Sequence, residues 1–173
     1  MEMYFEFSKG GVYLSAGKDD YAFNSFYNCR NFAEKINYLN PDRALPYCGL
    51  GESLYNAEEY ELACRCYLKA REVRESLLGL ESVDTVTVYN NLGCCFFMLQ
   101  RPKEALSYFK ISREVMISEL GEFHERSQTS RENVNLCNKA FFENSPEYRK
   151  LWEVFEKDMF GEKKKKKKDK KKK

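Results

Sequence analysis

The chain is 173 residues long, 43% hydrophobic and 32% charged, with a formal net charge of +2. That length suits one domain with an extended core and excludes two independent ones. No apolar run reaches the ~18–20 residues of a membrane-crossing helix and no secretory leader pattern is present, so neither a span nor export is expected from this sequence.

In chain order, three stretches repeat one pattern at 41 to 42 residues. The first and faintest runs Gly10, Tyr13, Ala22, Phe26, Cys29. The second reads Leu50-Gly51, Leu54, Ala63, Tyr67, Ala70, and the third reads Leu92-Gly93, Phe96, Ala105, Phe109, Ser112. Spacings of three and four place these residues on one face of a helix. Short polar segments, Asn56-Ala57-Glu58-Glu59 and Gln100-Arg101-Pro102-Lys103, separate the halves of a copy. Pro102 suits the first position of a helix, where its missing N–H costs nothing. Each copy therefore reads as a helix, a tight turn and an antiparallel second helix. Gly51, Gly93, Ala63 and Ala105 are small where helices approach, and Tyr67 and Phe109 fill the adjoining gaps. A period of this length predicts stacked helix pairs.

Carried onward, the offset reaches a worn fourth copy: Asn135 stands at the glycine position, Asn138 at the aromatic and Glu147 at the alanine. Polar residues at packing positions suit an outermost unit. Ser145-Pro146 reads as the N-cap and first residue of a closing helix, striped with Tyr148, Leu151, Trp152, Phe155 and Met159. Residues 163–173 hold ten lysines and Asp169, which leaves residues 1–162 at −7. Like charges that bury nothing predict a disordered tail. The expected organisation is a weak repeat over 1–39, repeats over 40–81 and 82–123, a degenerate capping unit over 124–160 and a polybasic tail over 161–173.

The order Leu-Gly-x2-aromatic-x8-Ala-x3-aromatic-x2-small resembles the tetratricopeptide repeat. The period is similar to the longer subtype typified by kinesin light chain, of which Leu120-Gly121-Glu122-Phe123-His124, Asn40-Pro41 and Asn91-Leu92-Gly93 each supply a part. The resemblance implies an all-α, right-handed superhelical solenoid of antiparallel helix pairs. Relative to the usual 34-residue unit, the extra residues would lengthen each helix by about one turn. It also implies a concave groove that takes a segment of a partner protein.

Catalysis finds little support. His124 is the only histidine, so no metal pair or Ser-His-Asp set is available, and its place before a helix suits a turn or cap. Gly10-Gly11 lacks the Gly-Lys-Ser/Thr of a phosphate loop. Seven scattered cysteines fit reduced core thiols, with Cys64 and Cys66 on different helix faces. The expectation is a protein without enzymatic activity, cofactor or metal.

Mapped by the resemblance, the groove is lined by Tyr4 and Phe7, then Leu45, Cys48, Glu52 and Tyr55. Thr87, Asn90, Asn91, Cys94 and Phe97 follow, then Glu132 and Asn133. The protein-binding candidates are Glu52, Tyr55, Asn90, Asn91, Cys94, Phe97 and Asn133. Asn91 and Asn133 stand 42 residues apart where the resembled repeats bind peptide backbone; an amide offers donor and acceptor together. The alternative is that these asparagines bond to neighbouring units. Chaperone-tail clamps of this fold grip a C-terminal carboxylate with lysine, asparagine and arginine at set groove positions; here those positions hold Phe7, Gly11, Thr87 and Asn91, with no cation, so a carboxylate would gain no charge-assisted bond.

The tail lysines, Lys163, Lys164, Lys165, Lys166, Lys167, Lys168, Lys170, Lys171, Lys172 and Lys173, read either as contacts to an acidic surface such as tubulin or as a disordered tail that only solubilises the chain. A run of lysine without arginine or aromatics reads no base sequence. The expected function is a scaffold or adaptor in the cytoplasm, at the cytoskeleton or cilium axoneme. The alternative is a nuclear or RNA-associated scaffold using the same tail.

Overall fold

The computed structural model describes residues 1–143 together with Pro146 and Lys150, with the side chains of residues 141 and 142 left out. Within it the chain folds as seven α-helices: α1 Glu2–Ser15, α2 Asp19–Ala33, α3 Leu45–Asn56, α4 Tyr60–Leu78, α5 Val83–Met98, α6 Pro102–Leu120 and α7 Glu125–Glu143. A short 3-10 turn, Pro41–Ala44, leads into α3, and Asn40 Oδ1 accepts the Asp42 N–H at 2.8 Å to start it. Each helix packs on the next in sequence, giving the all-α solenoid of antiparallel pairs that the period predicts. The expected closing helix and the lysine tail lie outside the described residues.

The extra length is not shared equally. α4, α6 and α7 each run 19 residues, whereas α3 has 12 and α1 and α2 have 14 and 15. The even lengthening expected from the resemblance therefore fails: the second helices of the middle units are long, while α3 and both helices of the first unit stay short.

Aromatic rings seated on glycines set the spacing of the stack. A Cβ at Gly93 would lie 2.5 Å from Phe109 Cε1, and one at Gly51 would lie 2.8 Å from Tyr67 Cε1. Phe26 sits between two glycines, Gly10 and Gly49, and fills both places. Ala22, Ala63 and Ala105 are fully buried on the facing helices. Around Ala63 and Ala105, Tyr67, Val88, Leu92, Cys95, Phe109 and Cys137 form one continuous core, and Ala22 packs with Phe26 and Leu50 in a separate one. All seven cysteines are free, and Cys64 joins that core while Cys66 packs with Ala22, Phe26 and Leu50 on the other side of α4.

The turns inside the pairs share one conformation. Gly17, Glu58 and Gln100 have φ of 66°, 61° and 58°. In each case the next residue's N–H bonds back five positions, to Tyr13, Leu54 and Phe96 carbonyls at 2.9 Å, which is the Schellman closure of a helix end. Between units, Gly79 and Gly121 end α4 and α6 at φ of 82° and 86°. His124 Nδ1 accepts the Arg126 N–H at 3.2 Å and so caps α7.

Candidate functional site

α3 and α5 are the first helices of adjacent pairs, and their exposed faces meet in a groove of about 310 Å³. Glu52, Tyr55 and Asn56 line it from α3, Asn91 and Cys94 from α5, and Tyr67 of α4 lines the floor. Gly51 is what allows the Tyr67 ring to lie there. Tyr55 is held by an edge contact with Tyr60, with ring centroids 5.2 Å apart.

Four of the seven residues expected in the groove thus come together: Glu52, Tyr55, Asn91 and Cys94. The other three are placed differently. Asn133 Nδ2 donates to Asn90 Oδ1 at 2.9 Å, so this pair links α7 to α5. Phe97 is half-buried and packs against the central core. The Asn91 amide makes no hydrogen bond to the described residues. Of the two readings of the asparagines, Asn133 fits the bond between units and Asn91 fits an amide open to a guest.

Other mapped residues are used within the fold. Phe7 packs on Phe26 with centroids 5.6 Å apart. Thr87 Oγ1 donates to the Val83 carbonyl at 2.7 Å, and Tyr4 OH donates to Asp42 Oδ2 at 2.6 Å. Asn56 and Tyr67 were not among the expected groove residues. Asn56 reads from sequence as turn, and Tyr67 as a packing ring; the visible signal was a hydroxyl where Phe26 and Phe109 have none.

The groove is electrostatically simple. The surrounding protein raises the Glu52 carboxyl above its ordinary value by desolvation, and no cation among the described residues pairs with it. Burial pushes the Cys94 thiol up to about 11 and, as the leading cause, Tyr55 up to about 12. At neutral pH Cys94 and Tyr55 therefore keep their protons. Thiol nucleophiles need depressed, not raised, pKa values, so Cys94 is not an activated nucleophile. Among the described residues no group of three His, Cys, Asp or Glu side chains is placed to hold a metal ion, and no helix is long and apolar enough to cross a membrane.

Residues 42–118 match the tetratricopeptide repeat family model. In fold the chain is similar to BtubC (BKLC) from P. vanneervenii, at a TM-score of 0.69 and 19% identity over 76% of this chain and 52% of that one. It is also similar to the nearly identical TPR-like repeats of a Podosopora anserina protein assigned as a kinesin light chain. There the TM-score is 0.68 at 12% identity, over 94% of this chain and 76% of that one. In sequence it is 32% identical over 96 residues to a clustered mitochondria protein homolog of Aspergillus niger, covering 56% of this chain. The chain spans only 8% of that relative's length. Residues 42–118 thus carry tetratricopeptide repeats, and the solenoid as a whole has the kinesin-light-chain type of fold. This family is in general non-catalytic and serves as a scaffold for binding other proteins.

Proposed function

We propose that the chain is a non-catalytic adaptor that holds a segment of a partner protein between α3 and α5. The observation that carries this reading is the groove of Glu52, Tyr55, Asn91 and Cys94, in which one carboxylate and one amide are left without partners among the described residues. Asn91 suits an extended main chain, which needs a donor and an acceptor together. Glu52 suits a basic side chain on the guest and repels a C-terminal carboxylate, which disfavours the chaperone-tail reading.

For the setting we propose the microtubule, including the cilium axoneme, with Lys163–Lys173 contacting the acidic tails of tubulin. The support is the fold shared with kinesin-light-chain repeats and the charge division between a body at −7 and a tail at +9. A polybasic tail binds through Coulomb attraction and weakens with salt. Microtubule co-sedimentation of the full chain and of a chain ending at Glu162, across a salt series, tests this. Salt-sensitive binding that disappears with the tail is the expected result. Binding that ignores tail deletion, or none at low salt, removes tubulin as the surface. The same tail favours a nuclear or RNA-associated scaffold if it concentrates the intact chain in the nucleus and the shortened chain stays outside.

A further inference from the structure

Tyr67 is 3% exposed, yet its hydroxyl makes no hydrogen bond to the described residues. The Ser53 and Thr85 hydroxyls are also unpartnered, but they are sealed inside the stack. Tyr67 instead forms the floor of the groove between α3 and α5. Its ring crosses Gly51 by the end that carries the hydroxyl, since a Cβ at Gly51 would meet Cε1 and Cζ at 2.8 Å each. The equivalent ring of the next unit, seated on Gly93 in the same way, is Phe109. Helix packing therefore has no use for the hydroxyl. Glu52 and Asn56 stand one turn apart above it on α3, and Asn91 faces them from α5. None of these side chains makes a hydrogen bond to the described residues either. Desolvation holds the Glu52 carboxyl above its ordinary value, the mark of a charge without a compensating partner.

We propose, resting on the reading of this groove as the guest's site, that it is a pocket for an arginine side chain of the guest. Glu52 takes the charge of the guanidinium, and the Tyr67 hydroxyl and the Asn91 carbonyl accept its remaining N–H groups. Guanidinium is a planar fork of donors with no acceptor, so it uses acceptors on the wall and on the floor together. Lysine brings a compact, strongly hydrated point charge and fits this set less well. A guanidinium plane also stacks on aromatic rings, and Tyr55 offers one in the groove. The fold already makes such contacts on its own surface, with Arg30 over Tyr27 at 4.6 Å and Arg101 over Phe96 at 4.7 Å; Lys35 stands 5.5 Å over Phe32. The volume of about 310 Å³ takes one long side chain. Tyr67 is then the residue that gives this unit its choice of guest.

Amide NMR titration of the 173-residue chain with a capped alanine pentapeptide bearing one central arginine tests the pocket. The comparison peptides carry lysine, or citrulline, which keeps the shape of arginine and loses its charge. The arginine peptide shifts the amides of Glu52, Tyr55, Asn91 and Cys94, and both comparison peptides bind about fivefold more weakly or less. Tyr67→Phe keeps the wild-type melting temperature, because the hydroxyl has no partner in the fold, and weakens the arginine peptide about tenfold. Glu52→Gln weakens the arginine peptide and leaves the citrulline peptide unchanged. Equal affinity for arginine and lysine overturns the proposal, as does a Tyr67→Phe variant that binds like the wild type. Selection from an unbiased peptide display library separates the pocket from the reading beneath it. Groove binders enriched in arginine support both; groove binders without arginine overturn the arginine pocket alone, and the absence of any groove binder overturns both.

Discussion

Asn133 Nδ2 donates to Asn90 Oδ1 at 2.9 Å across 43 residues of sequence, and the neighbouring Asn91 faces the groove unbonded. Two adjacent amides on α5 thus have different duties. Asn133→Ala removes a half-buried bond between helices and lowers stability by about 0.5–1.5 kcal/mol, while guest affinity holds. Asn91→Ala leaves the melting temperature in place and weakens the affinity of a peptide selected on the wild-type groove about tenfold. Thermal unfolding and fluorescence anisotropy read the two effects. Equal loss of stability in both variants would sink the division.

Gly93→Ala places a methyl group 2.5 Å from the Phe109 ring in the closed core. Overpacking of this kind costs about 1–3 kcal/mol, and the gain in helix propensity offsets only about 1 kcal/mol. The melting temperature therefore falls. Gly11→Ala is the control, because nothing lies within 4 Å of its Cβ position; it stabilises by about 0.5–1 kcal/mol. Differential scanning calorimetry of the pair should show shifts of opposite sign.

Glu58 and Gln100 hold left-handed conformations at φ of 61° and 58°, where the first unit uses Gly17. A side chain there costs about 1–2 kcal/mol relative to glycine. Glu58→Gly and Gln100→Gly each raise the urea midpoint with the slope unchanged. A lower midpoint in either variant contradicts this account of the turn.

Burial pushes the thiols of Cys29, Cys48 and Cys94 up to about 11 and that of Cys95 up to about 12, from 9.0. In the unfolded chain these groups ionise near their ordinary value, while in the fold they stay protonated. Above about pH 9 the unfolded state therefore binds fewer protons than the native state, and stability falls as pH rises toward about 11. Below about pH 8 the contribution is complete. Melting curves under reducing conditions should be level from neutral pH to the mild alkaline range and then drop. An unchanged melting temperature across the alkaline interval would show that the thiols are not shielded.

The pairing of helices was legible because glycine and ring recur at one offset: Gly51 with Tyr67 and Gly93 with Phe109 reappear in space as ring-on-backbone contacts. The groove was only half legible. Glu52, Tyr55, Asn91 and Cys94 follow from the face of the helix on which they lie, but a helical wheel does not reveal which amide bonds to which. Asn90 and Asn133 lie on consecutive first helices, and their bond depends on the distance between α5 and α7, which packing sets. The handedness at Glu58 and Gln100 was hidden for another reason. Only Gly17 carries the residue type that announces a left-handed turn, and the repeat enforces the same backbone on side chains that tolerate it poorly.

One repeat position has a wider consequence. It holds Gly49 in α3, Asn91 in α5 and Asn133 in α7. At Gly49 the Phe26 ring fills the space, at Asn91 the space opens as a groove, and at Asn133 a bond closes it. One residue per unit thus marks whether this position is filled by a ring, open, or closed by a bond; on the proposed reading, exchanging that residue changes which units hold a guest without rebuilding the stack beneath them.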